Sequence, residues 1–266
     1  MTTSYPLITL TSDFGHDEPF VGMMKGVILS RYPAARIVDL THEIPLFAPA
    51  IAGFWVQRSL AYFPTGTVHV AIVDPGVGSA RRILGVAVQG QVVLAPDNGL
   101  VTPLLEAEES SHIREVSQET LEAVGLPPSA TFHGRDLFAP LAAALVSGTL
   151  LFEQLGPSAD VVRRLEVLTP KVSEIEISGK VLLTDRFGNL VTNLPGEYLH
   201  HWAQCEVCIG ERRIPIGRTY SDAPAGGLVA VVNAHNLIEI AANRNRAADL
   251  LPRQTTEKIL IRPLKA

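Results

Sequence analysis

The residues of this chain that could do chemistry are gathered in a few places. Four stretches set carboxylates, imidazoles and glycines directly behind an apolar run: Thr11-Ser-Asp-Phe-Gly-His-Asp-Glu18, Asp39-Leu-Thr-His-Glu43, Asp74-Pro-Gly-Val-Gly-Ser-Ala-Arg-Arg82 and Phe132-His-Gly-Arg-Asp136. In an open α/β sheet that position is the crevice beyond the strand carboxyl ends, where ligands bind. Asp13 can accept both hydrogens of a ribose diol there, or it can cap a turn; the residue alone leaves the two readings level. Asp74 opens the sharpest local feature, because Gly76 and Gly78 let backbone approach a ligand and Arg81 follows. The plainer reading is a glycine-rich turn whose Asp and Arg pair in solvent. Position 81 is not glycine and no phosphate-loop lysine is present, so neither a dinucleotide nor a P-loop fingerprint applies. His133 precedes Gly134 and a helix entered near Pro140, which places its imidazole near a helix amino end. A lone histidine is usually structural, but a histidine, an arginine and an aspartate on strand-end loops can converge on a water and hold it for attack.

Further along, Asp185-Arg-Phe-Gly-Asn189 and Thr219-Tyr-Ser-Asp222 put aromatics beside amide and carboxylate groups. A purine stacks on such rings while an amide reads its edge; the alternative is a β-turn at Phe187-Gly188-Asn189 with the ring in the core. Asp13, His16, Asp17, Asp39 and His42 could instead ligate a metal for phosphoester hydrolysis. Acids and histidines dispersed around loops are more often caps and turns, so no metal is expected. Cys205 and Cys208, with His200 and His201 upstream, have a zinc-like spacing, but CEVCIG reads as a strand, where residues three apart point to opposite faces. They are expected to be structural thiols.

The elements that must position these groups fall into two kinds. Up to residue 168 short apolar runs alternate with helical patterns: strands at 7–11, 35–40 and 68–74, a helix after Pro19 with Phe20, Met23, Met24, Val27 and Ile28 on one face, a helix over 48–62, and a hairpin around Gly90. This predicts an α/β domain with a mostly parallel sheet between helices. From 169 to 266 the strands are short and separated by Gly, Asn and Asp turns, which predicts an all-β domain, barrel-like or a sandwich. Of 266 residues, 47% are hydrophobic and 18% charged, which describes a well-cored globular chain. The net charge of -5 and the absence of a basic cluster argue against nucleic acid. No apolar run approaches a membrane span and the amino terminus lacks a signal-peptide pattern, so a cytoplasmic protein is expected.

Eight ordered motifs then carry a resemblance over nearly the whole chain: Thr11-Ser-Asp-Phe-Gly15, Lys25-Gly26, Thr41-His-Glu-Ile-Pro45, Val73-Asp-Pro-Gly-Val-Gly78, Ala95-Pro-Asp-Asn-Gly-Leu100, Phe132-His-Gly-Arg-Asp136, Asp185-Arg-Phe-Gly-Asn-Leu-Val-Thr-Asn193 and Ile238-Glu-Ile-Ala241. The sequence resembles the S-adenosylmethionine hydroxide adenosyltransferase family, the hydrolytic relatives of fluorinase and chlorinase. The resemblance implies a homotrimer that binds S-adenosylmethionine (SAM) between neighbouring subunits, with no cofactor besides this substrate. It implies that Asp74, Arg81 and His133 activate water, that Asp13 holds the ribose diol, that Phe187, Asn189 and Tyr220 surround adenine, and that Glu18 and Asp185 lie near the methionine amine. Phe47 falls where halogenase relatives place an aromatic near the ribose. Glu18 stands where the family usually has Asp, and Ala234-His235-Asn236 replaces a usual Ser-x-Gly, which puts His235 at the methionine end. The implied reaction is displacement of methionine from ribose C5′ by water, giving adenosine. Halide transfer is the nearest competitor, and nucleoside binding without turnover is the next.

Overall fold

The structure is a computed structural model that describes residues 7–107, 112–165, 169–251 and 258–264. The chain divides into two compact units, Met1–Val167 and Leu168–Ala266. The boundary expected at residue 168 lies outside the described residues.

The first unit carries β1 (Leu7–Ser12), α1 (Phe20–Arg31), β2 (Arg36–Thr41), α2 (Pro49–Ser59), β3 (Val68–Ile72), β4 (Ile83–Val88), β5 (Gln91–Pro96), α3 (Thr102–Ala107), β6 (His112–Glu115), α4 (Gln118–Val124) and α5 (Ala139–Ser147). One six-stranded sheet has the order β2-β1-β3-β5-β4-β6. β2, β1, β3 and β5 are parallel, and β4 runs antiparallel to β5 and β6. The β4–β5 hairpin closes through Gln89 and Gly90 at φ 51° and 71°, both left-handed as a two-residue type I′ turn requires. Alternation sorts the side chains. Ile8, Leu10, Val68, Val70 and Ile72 join one core with α1 and α5, while His69 turns to the other face, where Gln91 links it to the Leu60 carbonyl just beyond α2.

The buried stripe of α1 is Val21, Met24 and Ile28, with Val27 packed beside them; Phe20 and Met23, expected on that face, are exposed. The stripe follows i, i+3 and i+7 from Val21 rather than from Phe20. Phe20 instead meets the Phe14 and Phe132 rings edge-on. Because β1 lies between β2 and β3, the chain leaves β1 in one direction and returns to the other side of it. The carboxyl ends of β1 and β3 therefore flank a topological switch point, and Asp13 and Asp74 come directly after those strands.

The second unit is built of antiparallel pairs: β7 (Lys171–Val172), β8 (Ile177–Gly179), β9 (Val181–Thr184), β10 (Leu190–Pro195), β11 (Cys205–Ile209), β12 (Arg212–Ile214), β13 (Leu228–Val232), β14 (Leu237–Ala242) and β15 (Ile259–Pro263), with the short helix α6 (Ala247–Leu250). They form two sheets, β13-β14-β10-β9 and β12-β11-β15-β8-β7. Leu190, Ile238 and Ile240 of the first share one core with Ile177, Val207 and Ile261 of the second, a layered arrangement. No closed barrel is seen among the described residues. Among them, too, no helix is long and apolar enough to cross a membrane.

Candidate active site

Three side chains from widely separated positions meet at the carboxyl edge of the first sheet. Arg81 Nε donates to Asp74 Oδ2 at 2.7 Å, and its Nη2 lies 2.5 Å from the same oxygen and 2.9 Å from His133 Nδ1. A guanidinium can only donate, so His133 Nδ1 accepts, and a neutral His133 carries its proton on Nε2. Burial, then the Arg81 charge, push the His133 pKa below its ordinary value. The Asp74 side chain is only 4% exposed, yet its other oxygen, Oδ1, has no hydrogen-bond partner among the described residues. A buried carboxylate oxygen with open lone pairs is costly to leave so, and functional sites are where such atoms are retained.

Local sequence explains why the two loops meet. Asp74-Pro75-Gly76-Val77 turns back on itself, with Val77 N donating to the Asp74 carbonyl and Ser79 Oγ to the Gly76 carbonyl, which brings Arg81 over Asp74. Gly78 has φ 77°, and a Cβ there would lie 2.2 Å from the Ala130 carbonyl oxygen, so only glycine lets this loop touch the one bearing His133. That second loop is pinned by Asp136, 1% exposed, which accepts from Ser129 N and Oγ and from Arg135 Nε. Burial works to raise the Asp136 pKa, but these donors outweigh it and hold the group below the ordinary carboxylate value. His133 sits at the amino end of a π-helical turn, Gly134–Phe138, that runs into α5.

Asp74 and His133 line a cavity of about 340 Å³ together with Asp13, Glu18, Phe47 and Phe132. A larger cavity of about 570 Å³, walled by Arg82, Glu115 and Glu122, backs onto Arg81 and His133 from another side. The smaller one is the stronger nucleoside candidate, since it holds Asp13, the aromatic rings and the carboxylate with the open oxygen. Phe47 is 71% exposed and adopts φ 61°, a strained conformation for a bulky residue, while its N–H donates to Asp13 Oδ2. Beneath this loop Ser12 Oγ meets His42 Nδ1 at 2.7 Å, His42 Nε2 meets Asp39 Oδ1 at 3.1 Å, and Lys25 Nζ donates to Asp39 Oδ2. Asp39 and His42, weighed above as metal ligands, are thus engaged in holding the Asp13 loop. Among the described residues no group of three or more His, Cys, Asp or Glu side chains could hold a metal ion.

In the second unit Asp185 grips Asn189, accepting from its backbone N at 2.8 Å and its Nδ2 at 3.0 Å, across the turn whose tip is Phe187. Phe187 is 76% exposed rather than in the core, and Tyr220 is 46% exposed. The Tyr220 hydroxyl donates to Glu239 Oε1 at 3.0 Å; burial and the Glu239 charge push its pKa up to about 12. Cys205 is half-buried and Cys208 buried, both free thiols.

These arrangements accompany matches to known proteins along most of the chain. Residues 8–156 match the model of the SAM hydroxide adenosyltransferase N-terminal domain, and residues 179–260 that of its C-terminal domain. The chain belongs to the SAM hydroxide adenosyltransferase family. A family relative from Thermus thermophilus named (R)-S-adenosyl-L-methionine hydrolase is 38% identical, over 90% of this chain and 93% of its own. A second of that name, from Salinispora arenicola, is 36% identical over 93% and 94%. A fluorinase from Actinopolyspora mzabensis is more distant, at 25% identity over 98% and 99%. The crystal structure of an uncharacterized conserved protein from Thermotoga maritima superposes with a TM-score of 0.87 at 31% identity, covering 96% of this chain and 99% of that one.

Set against the residues expected from the family resemblance, the first unit brings together Asp74, Arg81 and His133 by direct bonds, and Asp13, Glu18 and Phe47 on the same cavity. The second unit brings together Asp185 and Asn189, while Phe187 and Tyr220 are exposed and His235 is half-buried on the turn after β13. Glu239, which holds Tyr220, lies in the Ile238-Glu-Ile-Ala241 motif but was given no role from sequence. Its signal was a lone carboxylate in the otherwise apolar strand Leu-Ile-Glu-Ile-Ala-Ala.

Proposed function

We propose that this chain hydrolyses SAM to adenosine and L-methionine by attack of water on ribose C5′. The observation that carries the reading is the buried Asp74 carboxylate, whose Oδ1 has no hydrogen-bond partner among the described residues while Arg81 ties Oδ2 to His133. Oxygen bonds to C5′, the C5′–S bond breaks, and its electron pair goes to the sulfonium, which leaves as a neutral thioether. The leaving group needs no proton, so the work lies in placing and deprotonating a weak nucleophile. Asp74 accepts that proton and gives it up to solvent, Arg81 fixes the orientation of the carboxylate, and neutral His133, accepting from Arg81 at Nδ1, holds the guanidinium in place. Asp13 grips the ribose diol and Phe47 covers it. Glu18, Asp185 and His235 serve the methionine end, and Phe187, Asn189 and Tyr220 the adenine.

The named relatives support the (R) sulfonium epimer as substrate. The protein is proposed to act in the cytoplasm without a cofactor, as a homotrimer with its sites at subunit interfaces, with its domain boundary after residue 168 and its β domain wrapped into a barrel-like platform. The test is chromatography after incubating pure protein with each SAM epimer, with and without chloride, in ¹⁸O-water. Label in the adenosine 5′-hydroxyl is expected; a 5′-halo nucleoside would mean halide transfer, and no product would mean a nucleoside binder.

A further inference from the structure

β14 is a central strand of its sheet, paired through Glu239 with Val191 on one side and Val231 on the other, so the Glu239 backbone is held from both sides. The residue is 4% exposed. A carboxylate buried to that degree needs donors, and the two it receives among the described residues come from surface turns. Tyr220, on the short turn Tyr220–Asp222, donates through its hydroxyl to Oε1; Asn233 Nδ2 donates to Oε2 at 3.1 Å. Asn233 opens the turn between β13 and β14, and its own Oδ1 accepts from His235 N at 2.9 Å and Leu237 N at 3.1 Å. One carboxylate thus fixes the exposed Tyr220 ring and the turn that carries His235.

We infer that Glu239 is a positioning residue for adenosyl-ligand binding: it locks the Tyr220 ring and the His235 turn in a single geometry from inside the sheet. The inference rests on the reading that Tyr220 and His235 face the substrate. What matters is the pair of hydrogen bonds rather than the charge. A glutamine fits that requirement, because its carbonyl accepts from Asn233 while its amide donates to the Tyr220 hydroxyl, which can rotate to accept. Leucine offers neither bond. Asn233 cannot flip to compensate, since its carbonyl is engaged by two backbone donors.

The test measures adenosine affinity by calorimetry and kcat and KM for SAM in Glu239→Gln and Glu239→Leu proteins. Glu239→Gln is expected to stay within about threefold of the parent in Kd and KM, and Glu239→Leu to weaken both about tenfold with kcat at saturation little changed. A purely structural role would lower the thermal midpoint of the leucine variant and leave its Kd and KM unmoved, overturning the inference. A tenfold loss in the glutamine variant overturns it too, by pointing to the charge. If Glu239→Leu does not fold, Tyr220→Phe removes one of the two bonds; unchanged Kd and KM there overturn it equally. A parent protein that binds no adenosine and releases none from SAM sinks the functional reading itself. Normal parental binding with an unaffected leucine variant sinks only the role of Glu239.

Discussion

Replacing Asp74 with Asn keeps the shape of the side chain and removes its ability to take a proton. In the structure Oδ2 is held by the Arg81 Nε and Nη2 hydrogens, so the asparagine carbonyl will settle there and its amide will occupy the place of Oδ1, the open acceptor. In the proposed mechanism a donor then stands where the acceptor for the water proton was. A positioned base contributes roughly 10²- to 10⁴-fold, equivalent to about 2.7 to 5.4 kcal/mol of barrier, and Asp74→Asn should lose on that order in kcat. Adenosine affinity should hardly move, because the diol is assigned to Asp13, on the neighbouring strand end. Adenosine release followed by chromatography under saturating SAM gives kcat, and calorimetry gives the affinity. An Asp74→Asn protein that binds adenosine normally and turns over within a few-fold of the parent would refute the role of Oδ1.

Other outcomes follow from the same geometry. His133→Ala removes the acceptor for Arg81 Nη2 and should lower kcat by at least about tenfold with adenosine Kd preserved, read in the same two assays. Gly78→Ala drives a Cβ to 2.2 Å from the Ala130 carbonyl at φ 77°; separation of the two loops should lower both thermal midpoint and kcat, and a variant with parental values would break this account of the loop. Burial holds His133 below its ordinary 6.5, so the kcat–pH profile should fall on the acid side only beneath that value. His42, His69 and His133 are all lowered first by burial, so the unfolded chain binds more protons than the folded one just under pH 6.5. Folding stability should therefore drop as pH falls through that window and level off below the folded pKa values, which denaturant titration at several pH values can check.

What the sequence revealed, and what it withheld, follows from the range of each interaction. β1, β3 and the β4–β5 hairpin were readable because strand alternation and a two-residue turn are local patterns. The turn at Asp74 was readable from its two glycines behind a buried strand, but the pairing of Asp74 with Arg81, weighed as a solvent contact, is buried because His133 closes over it from a distant loop. The clamp on Asp136 and the Ser12–His42–Asp39–Lys25 chain were not, since they join residues whose spacing has no periodic signature. The α1 face was set one residue off because Phe20, apolar and first in the helix, fits the stripe by type but belongs to the ring cluster with Phe14 and Phe132. Phe187 shows the converse: a large aromatic at a turn was weighed as core, and the clasp of Asp185 on Asn189 turns it outward.

With Asp74 in its proposed role, the choice between water and halide turns on the sign of what faces the nucleophile. Two like unit charges about 4 Å apart repel by roughly 4 kcal/mol at an effective dielectric constant of 20, the most that an anion beside Asp74 would meet before the paired Arg81 is counted. Arg81 offsets part of this repulsion, but its Nε and Nη2 hydrogens are taken up by Oδ2 and His133 and are not free to donate to a halide. A halide also needs several donors, whereas Oδ1 offers only lone pairs. Water satisfies the same atom by donating to it, and gains nucleophilicity as it does so. In that role, the arrangement that makes Asp74 costly to bury is also the one that favours a proton-bearing nucleophile, and chloride is expected to stay a non-substrate while the carboxylate is present.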